Sequence, residues 1–326
     1  MVSRPIVAPA RAAALLLVLV AGGSGCRRAR APDSLLSRLP RATTFVASVD
    51  LARVRATPLW SRISAQAEES PEDKKSLQKL TERTGLDPLR QIHRIVAAFP
   101  DNARSSGQFA LVIDGEGFDE QRLVAYAREQ GAKLEARPRG RRTLWVSGNT
   151  AGFFLGPTRF VLGASGWAEA MADLADGGRG SAEDNAELAR LVERVDRGRA
   201  LWFAALVPSD LRQALIADPK QRSAGSVARL AAAADLGPGL NADLVADLSN
   251  AADAQVLVAR IQSTVRESKR NAKMLMMGLG PYLDALDARA DGPTLRVSLV
   301  LAEGQAKDLI DRLAGLARLG RRPRPR

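Results

Sequence analysis

Leu240, Ala242, Leu244, Ala246 and Leu248 alternate with Asn241, Asp243, Val245, Asp247 and Ser249. That alternation has the period of a β-strand with one face buried and the other mostly wet. Leu295, Val297, Leu299 and Leu301 repeat it. The segments after these strands have helical spacing. From about Ala252, Leu257, Ile261 and Val265 recur every four residues while Arg260, Arg266 and Lys269 lie outward, and the pattern ends near Gly278 to Pro281. Leu309, Ile310, Leu313 and Leu316 predict a final amphipathic helix.

The first half reads in the same terms. Phe45, Ala47 and Val49 alternate with Val46, Ser48 and Asp50, which predicts a strand. Leu51 to Ala65 reads as a helix interrupted by Pro58, residues 66–76 as a polar loop or frayed helix end, and Leu77 to Arg83 as a helix stopped by Gly85. Strands are expected at Ile92 to Phe99 and at Phe109 to Asp114, the latter apolar on both faces and so central. After a helix at Asp119 to Gln130, strands follow at 133–138, 142–147, 151–155 and 159–163, with a hairpin turning at Gly156-Pro157. Trp167, Met171 and Leu174 form a helical stripe, 186–196 is another helix, and Ala200 to Val207 is a buried strand. Ser209 is a suitable cap for the helix after it.

This pattern predicts an α+β fold: a mainly antiparallel twisted sheet with helices packed on one face, in two related halves. FALVIDGEG and its helix match VSLVLAEGQ and its helix, aligning Glu116-Gly117 with Glu303-Gly304. NADLVADLSN and RFVLGASG form a second strand–turn–helix pair. The expected division is a signal segment at 1–25, a tether at 26–42, subdomains at 43–217 and 218–319, and a basic tail at 320–326. The boundary is drawn at DPKQRSAG, residues 218–225.

Apolar residues are 46% of the 326, enough for a sizeable core, but aromatics are only 4%, so Leu, Val, Ala and Ile must fill it. The net charge is +12, carried mostly by arginine, with only eight of the 48 basic residues being lysine. Alongside abundant Ala, Gly and Leu, that bias reads as a GC-rich genome, and no nucleic-acid partner is expected. A surface of this sign favours anionic envelope components.

The one cysteine, Cys26, follows Arg4, Arg11, the apolar stretch Ala12 to Gly23 and the small residues Ser24-Gly25. The apolar stretch is too short to span a bilayer and has the layout of a secretory signal. With the cysteine in that place, the N-terminus resembles a bacterial lipoprotein signal, although Gly23 stands where the family usually has Leu. The resemblance implies that Cys26 is acylated and becomes the first mature residue. Arg27, in place of Asp, then implies the outer membrane by the family's retention rule. The alternative is an ordinary signal peptide and a periplasmic or secreted protein. No cysteine remains for disulfides, so burial alone must stabilise the exported part.

The body resembles a family of exported bacterial proteins of unknown function. The resemblance rests on LPRATTFVASVDLARVRATPLW and on Gly85-Leu86-Asp87 before the first central strand, and covers much of residues 39–207. It implies a fold type and an envelope location, with no active site to carry over.

Catalytic signals are sparse. The single histidine, His93, lies in a strand and lacks partners for a triad or metal site, so it reads as an edge or boundary residue. GASGW at 163–167 has the wrong glycine spacing for a nucleophile elbow, and Ser165 reads as a turn or cap. DGEGFDE at 114–120 lacks a calcium loop's ligand pattern and reads as a turn with an acidic first helical turn. No catalytic residue, metal or cofactor is expected. Two binding candidates stand out. Arg137, Arg139, Arg141 and Arg142 surround Gly140 at a hairpin tip and suit an anionic surface. Met274, Met276, Met277 and Tyr282 suit an adaptable apolar groove. The expected function is a lipid-anchored, non-enzymatic binding or scaffolding protein of the envelope, with an envelope protein or anionic lipid as partner. The alternatives are a carrier of a lipid or other hydrophobic ligand and, behind it, a hydrolase.

Overall fold

The computed structural model describes residues 35–57, 60–61, 64, 71–237, 239–271, 278 and 280–320. The signal segment, Cys26, Met274, Met276, Met277 and the tail from Arg321 lie outside them. The fold is α+β, built on a 12-stranded antiparallel sheet. In chain order the strands are β1 (Phe45–Asp50), β2 (Ile92–Phe99), β3 (Ala110–Gly115), β4 (Glu135–Arg139), β5 (Arg142–Ser147), β6 (Thr150–Phe154), β7 (Arg159–Ala164), β8 (Leu201–Leu206), β9 (Val227–Asp235), β10 (Leu240–Leu248), β11 (Leu286–Asp291) and β12 (Thr294–Leu301). The principal helices are α1 (Leu51–Arg55), α2 (Pro71–Thr84), α3 (Glu120–Glu129), α4 (Ser165–Ala175), α5 (Ala186–Glu193), α6 (Ser209–Ala217), α7 (Ala251–Arg270), α8 (Gly280–Asp284) and α9 (Glu303–Gly320).

The sheet order is β11-β12-β10-β9-β8-β1-β2-β3-β7-β6-β5-β4. Read outward from the β1–β8 seam, β1-β2-β3-β7-β6 mirrors β8-β9-β10-β12-β11, and β4–β5 is an additional hairpin. Connectivity therefore pairs β3–α3 with β10–α7, and β7–α4 with β12–α9. The two sequence matches had crossed these pairs, because strand–turn–helix segments look alike locally and only long-range pairing assigns their place. The halves meet before Leu201, not at residue 218. Because β8 bonds to both β1 and β9, one sheet runs through both expected subdomains.

Helices cover both faces of this sheet, correcting the expectation of a single covered face. Cross-strand partners share a face. Val46, Val96, Ala98, Val112, Val161, Phe153 and Trp202 thus line a front face, where α4 and α5 bury Trp167, Met171, Leu188 and Leu191 against them. On the back face, α7 packs Leu257 and Ile261 over Leu244, Ala246, Leu248 and Leu295, and α8 and α9 cover Leu240 and Leu301. The division follows from composition. The front positions of β10 to β12 are mostly polar or charged, with Asp243, Asp247, Arg296, Ser298 and Arg289 outnumbering Val245 and Val300, and offer a helix no continuous apolar surface. The central strands are apolar on both faces, as FALVID predicted. Phe45, Phe99 and Phe203 cluster on the back, with ring centroids 5.6 and 6.0 Å from that of Phe45.

Several local expectations change. The segment expected as tether up to residue 42 is core from Leu36: a 3-10 turn at Leu35–Arg38 buries Leu36, Leu39 is fully buried, and Pro40 bridges to Ser181. Within the interrupted helix expected at Leu51 to Ala65, α1 runs to Arg55 and Trp60, Ser61 and Ser64 are helical again, whereas the helix expected from Leu77 begins earlier, at Pro71, where a proline fits the first helical turn. Ser209 and Ser165 are first helical residues rather than caps; the cap positions are Pro208 and Ala164, and neither makes a capping bond. The alanine-rich β9 and the polar β11 give no strand signal in sequence, and pairing on neighbouring strands decides them.

Candidate functional site

The hairpin cluster is largely neutralised. Gly140 turns between β4 and β5 with φ +57°. Arg137 pairs with Glu135 at 2.8 Å, and Arg139 with Asp173 at 2.7 Å and Glu169 at 3.8 Å. The Arg141 backbone donates to Asp176 at 2.9 Å, and Arg142 pairs with the same carboxylate at 3.0 Å. The hydrogen bond between Arg139 and Asp173 raises the guanidinium pKa and lowers that of the carboxyl. The cluster therefore fastens the hairpin to α4, with three of its four guanidinium groups paired to carboxylates. The apolar stripe of that helix was legible, but the acids at 169, 173 and 176 gave no hint of their partners.

Arg142 also belongs to a second arrangement. A crevice of about 200 Å³ lies between α4 and the front of β3, β6 and β7. Its floor is apolar: Val112, Phe153, Val161 and Met171 are each at most 3% exposed. Its rim carries three guanidinium groups, from Arg38, Arg142 and Arg159. Arg142 lies over the Phe153 ring, 5.9 Å from its centroid, where the ring face attracts a cation. Arg159 is held by Asp114, which also accepts from Arg94 at 2.6 Å.

The Arg142 Nε is buried and has no hydrogen-bond partner. A buried donor left unmet costs about 1–3 kcal/mol, so such a group calls for an acceptor. Chemically the crevice offers charge and donors at its rim and dispersion contacts beneath. Sequence reading named Arg142 but missed Arg38 and Arg159. Arg38 fell in the assumed tether; Asp114, a carboxylate ending an apolar strand and needing a cationic partner, was the available signal for Arg159.

The other candidates are differently placed. Tyr282 is 7% exposed within the α8–α9 core and hydrogen-bonds Asp308, so it lines no open groove. His93 is not on an edge strand: β2 is flanked by β1 and β3. It sits where the β2–β3 register shifts, beside Arg55 at 3.1 Å. In the DGEGFDE segment Asp119 caps α3 by accepting from the Arg122 backbone, and Glu120 is in the first turn. Gly85 ends the turn after α2 at φ +77°, Leu86 is buried and Asp87 caps the next helical turn, which accounts for that three-residue step. Among the described residues no group of three or more His, Cys, Asp or Glu is placed to hold a metal ion, and no helix is long and apolar enough to cross a membrane.

No protein-family model and no curated protein matches the chain. Among solved structures it is similar to TP0453 in three crystal forms. Form III gives a TM-score of 0.49 at 12% identity, covering 87% of this chain and 99% of that one. Form IV gives 0.48 at 13% identity, covering 85% and 95%, and form I gives 0.46 at 11%, covering 88% and 99%.

Proposed function

We propose that this is a lipid-anchored envelope protein with a non-enzymatic binding role, held to the outer membrane by acyl chains on Cys26 and facing the periplasm. Its ligand has an anionic head and a short apolar body, and it binds in the crevice beneath α4. The observation that carries this reading is the buried, acceptor-less Nε of Arg142 above a fully apolar floor. About 200 Å³ is room for a short acyl segment.

The anchor supports the same reading. The nine steps of chain from Cys26 to Leu35 reach at most about 30 Å, and Arg38, just beyond them, is on the crevice rim. The crevice mouth would therefore work close to the bilayer surface. More than one acyl chain is needed for stable anchoring, which lipoprotein acylation would supply.

Two measurements test the reading. Intact mass of the membrane-extracted chain should give an acylated product beginning at Cys26, and Cys26→Ser should release it to the soluble fraction. An unmodified soluble chain indifferent to that substitution overturns the anchor. Calorimetry with octanoate should show saturable binding that Arg142→Gln weakens at least fivefold. Absent or unchanged binding overturns the crevice.

A further inference from the structure

The front face of the second half carries a cleft of about 240 Å³. Its floor includes a cross-strand row in which Val245 pairs with Arg296 and Arg296 with Arg289. The matching row of the first half is Val112, Val161 and Phe153. Each row lies two residues before the next-to-last residue of the third strand of its half, Asp247 or Asp114. In the first half the row lies beneath α4, as the floor of the crevice described above. In the second, α9 packs on the opposite face and the row is left open. Two arginines thus stand where the other half has its buried Val161 and Phe153.

This pair is unfavourable by itself. Like charges directly opposite on neighbouring antiparallel strands repel. Arg289 has Asp287 at 3.7 Å, whereas Arg296 makes no ion pair or side-chain hydrogen bond among the described residues. The nearby acids are engaged elsewhere on the cleft wall. Asp243 holds Arg199 at 2.7 Å, Asp196 holds it at 3.3 Å, and Asp247 holds Arg194 at 2.6 Å. Ser298, two residues beyond Arg296 on the same face, adds a hydroxyl.

We propose that this cleft binds a phosphate monoester, with Arg296 and Arg289 as its principal donors and Ser298 as a neutral one. A guanidinium fork matches phosphate oxygens in bidentate geometry. Two adjacent guanidinium groups match a dianion, whereas a carboxylate would leave one charge unmet. The phosphate comes either from a soluble ester or from a lipid headgroup. This site is independent of the crevice beneath α4.

The test uses the full chain carrying Cys26→Ser, so that no acyl chain contributes. Glycerol 3-phosphate is the soluble probe, and phosphatidylcholine vesicles containing phosphatidic acid are the lipid probe. A ligand that binds only the folded state raises the melting temperature. Glycerol 3-phosphate should raise it, and Arg296→Gln should weaken binding at least tenfold. In phosphate-free buffer the same variant should melt no lower than the parent, because it relieves the repulsion; a merely structural arginine would melt lower. A response to the vesicles alone, lost in Arg296→Gln, supports the site with a headgroup as its ligand. No response to either probe, an equal shift from sodium chloride at matched ionic strength, or unchanged binding in the Arg289→Gln/Arg296→Gln double variant overturns the proposal.

Discussion

Asp114 and Asp247 occupy equivalent places in the two halves of the sheet. Each is the next-to-last residue of the third strand of its half, and each faces an arginine on the preceding strand: Arg94 opposite Asp114 and Arg229 opposite Asp247. Both carboxylates are mostly enclosed, at 16% and 17% side-chain exposure. Their outer partners differ. Asp114 takes Arg159 from β7, whereas Asp247 takes Thr294 from β12 and Arg194 from the end of α5. The same anchor thus ties each half together, and in the second half it also ties that half to the first.

The hydrogen bond from Arg194, with lesser help from Thr294 and Arg229, holds the Asp247 carboxyl below its ordinary range against the opposing effect of burial. A depressed folded pKa means that the stabilisation is full above the unfolded value of about 3.9 and is lost as pH falls through the folded value. Asp247→Asn should cost about 2 kcal/mol at pH 7. It should cost progressively less below pH 4, as measured by urea denaturation across pH. A cost independent of pH would contradict the ion-pair account.

Leu39 separates a tether from a core segment. It is fully buried beside Leu36 and α4. Leu39→Ala should lower stability by about 2–5 kcal/mol, as for other buried leucines. The denaturation midpoint would fall with little change in slope. A cost under half a kcal/mol would mean that the chain before Thr43 is a dispensable leader.

Gly163 is confined by its neighbour strand. A Cβ there would meet the Phe109 carbonyl oxygen at 2.6 Å, and backbone cannot yield as a flexible side chain does. Gly163→Ala should therefore destabilise by about 1–3 kcal/mol. Gly148→Ala, at a turn with open space around it, supplies a contrast in which only the positive φ of +58° is strained. Thermal melting of the two variants separates crowding from backbone strain.

Burial raises the Tyr282 hydroxyl pKa above 10, and the hydrogen bond to Asp308 adds to the shift. A raised folded pKa places this stabilisation fully below pH 10, with loss as pH rises through the folded value. Absorbance titration of the native chain should show a late phenolate step that Tyr282→Phe removes. The substitution should cost about 1 kcal/mol near neutrality. A step at the ordinary tyrosine pH would place the ring in solvent.

The sequence by itself determined the local elements whose cause is local. The alternation from Leu240 to Leu248, the hairpin turning at Gly156-Pro157, the Trp167–Met171 stripe and the acidic first turn after Gly117 were all legible, because period, turn chemistry and the helix dipole act within a few residues. The α+β class followed from them. The tertiary structure decided what depends on distant partners. Ala231 to Ala234 became strand because β8 and β10 flank them. The helices divided between two faces because β10 to β12 turn their charged positions toward the front. Leu36 and Leu39 joined the core, and Arg38, Arg142 and Arg159 converged on one crevice from segments far apart in the chain. A one-dimensional pattern records which face a residue takes within its own element. Which element covers that face, and which charge meets which, is settled only by packing energies between segments that the sequence does not place side by side.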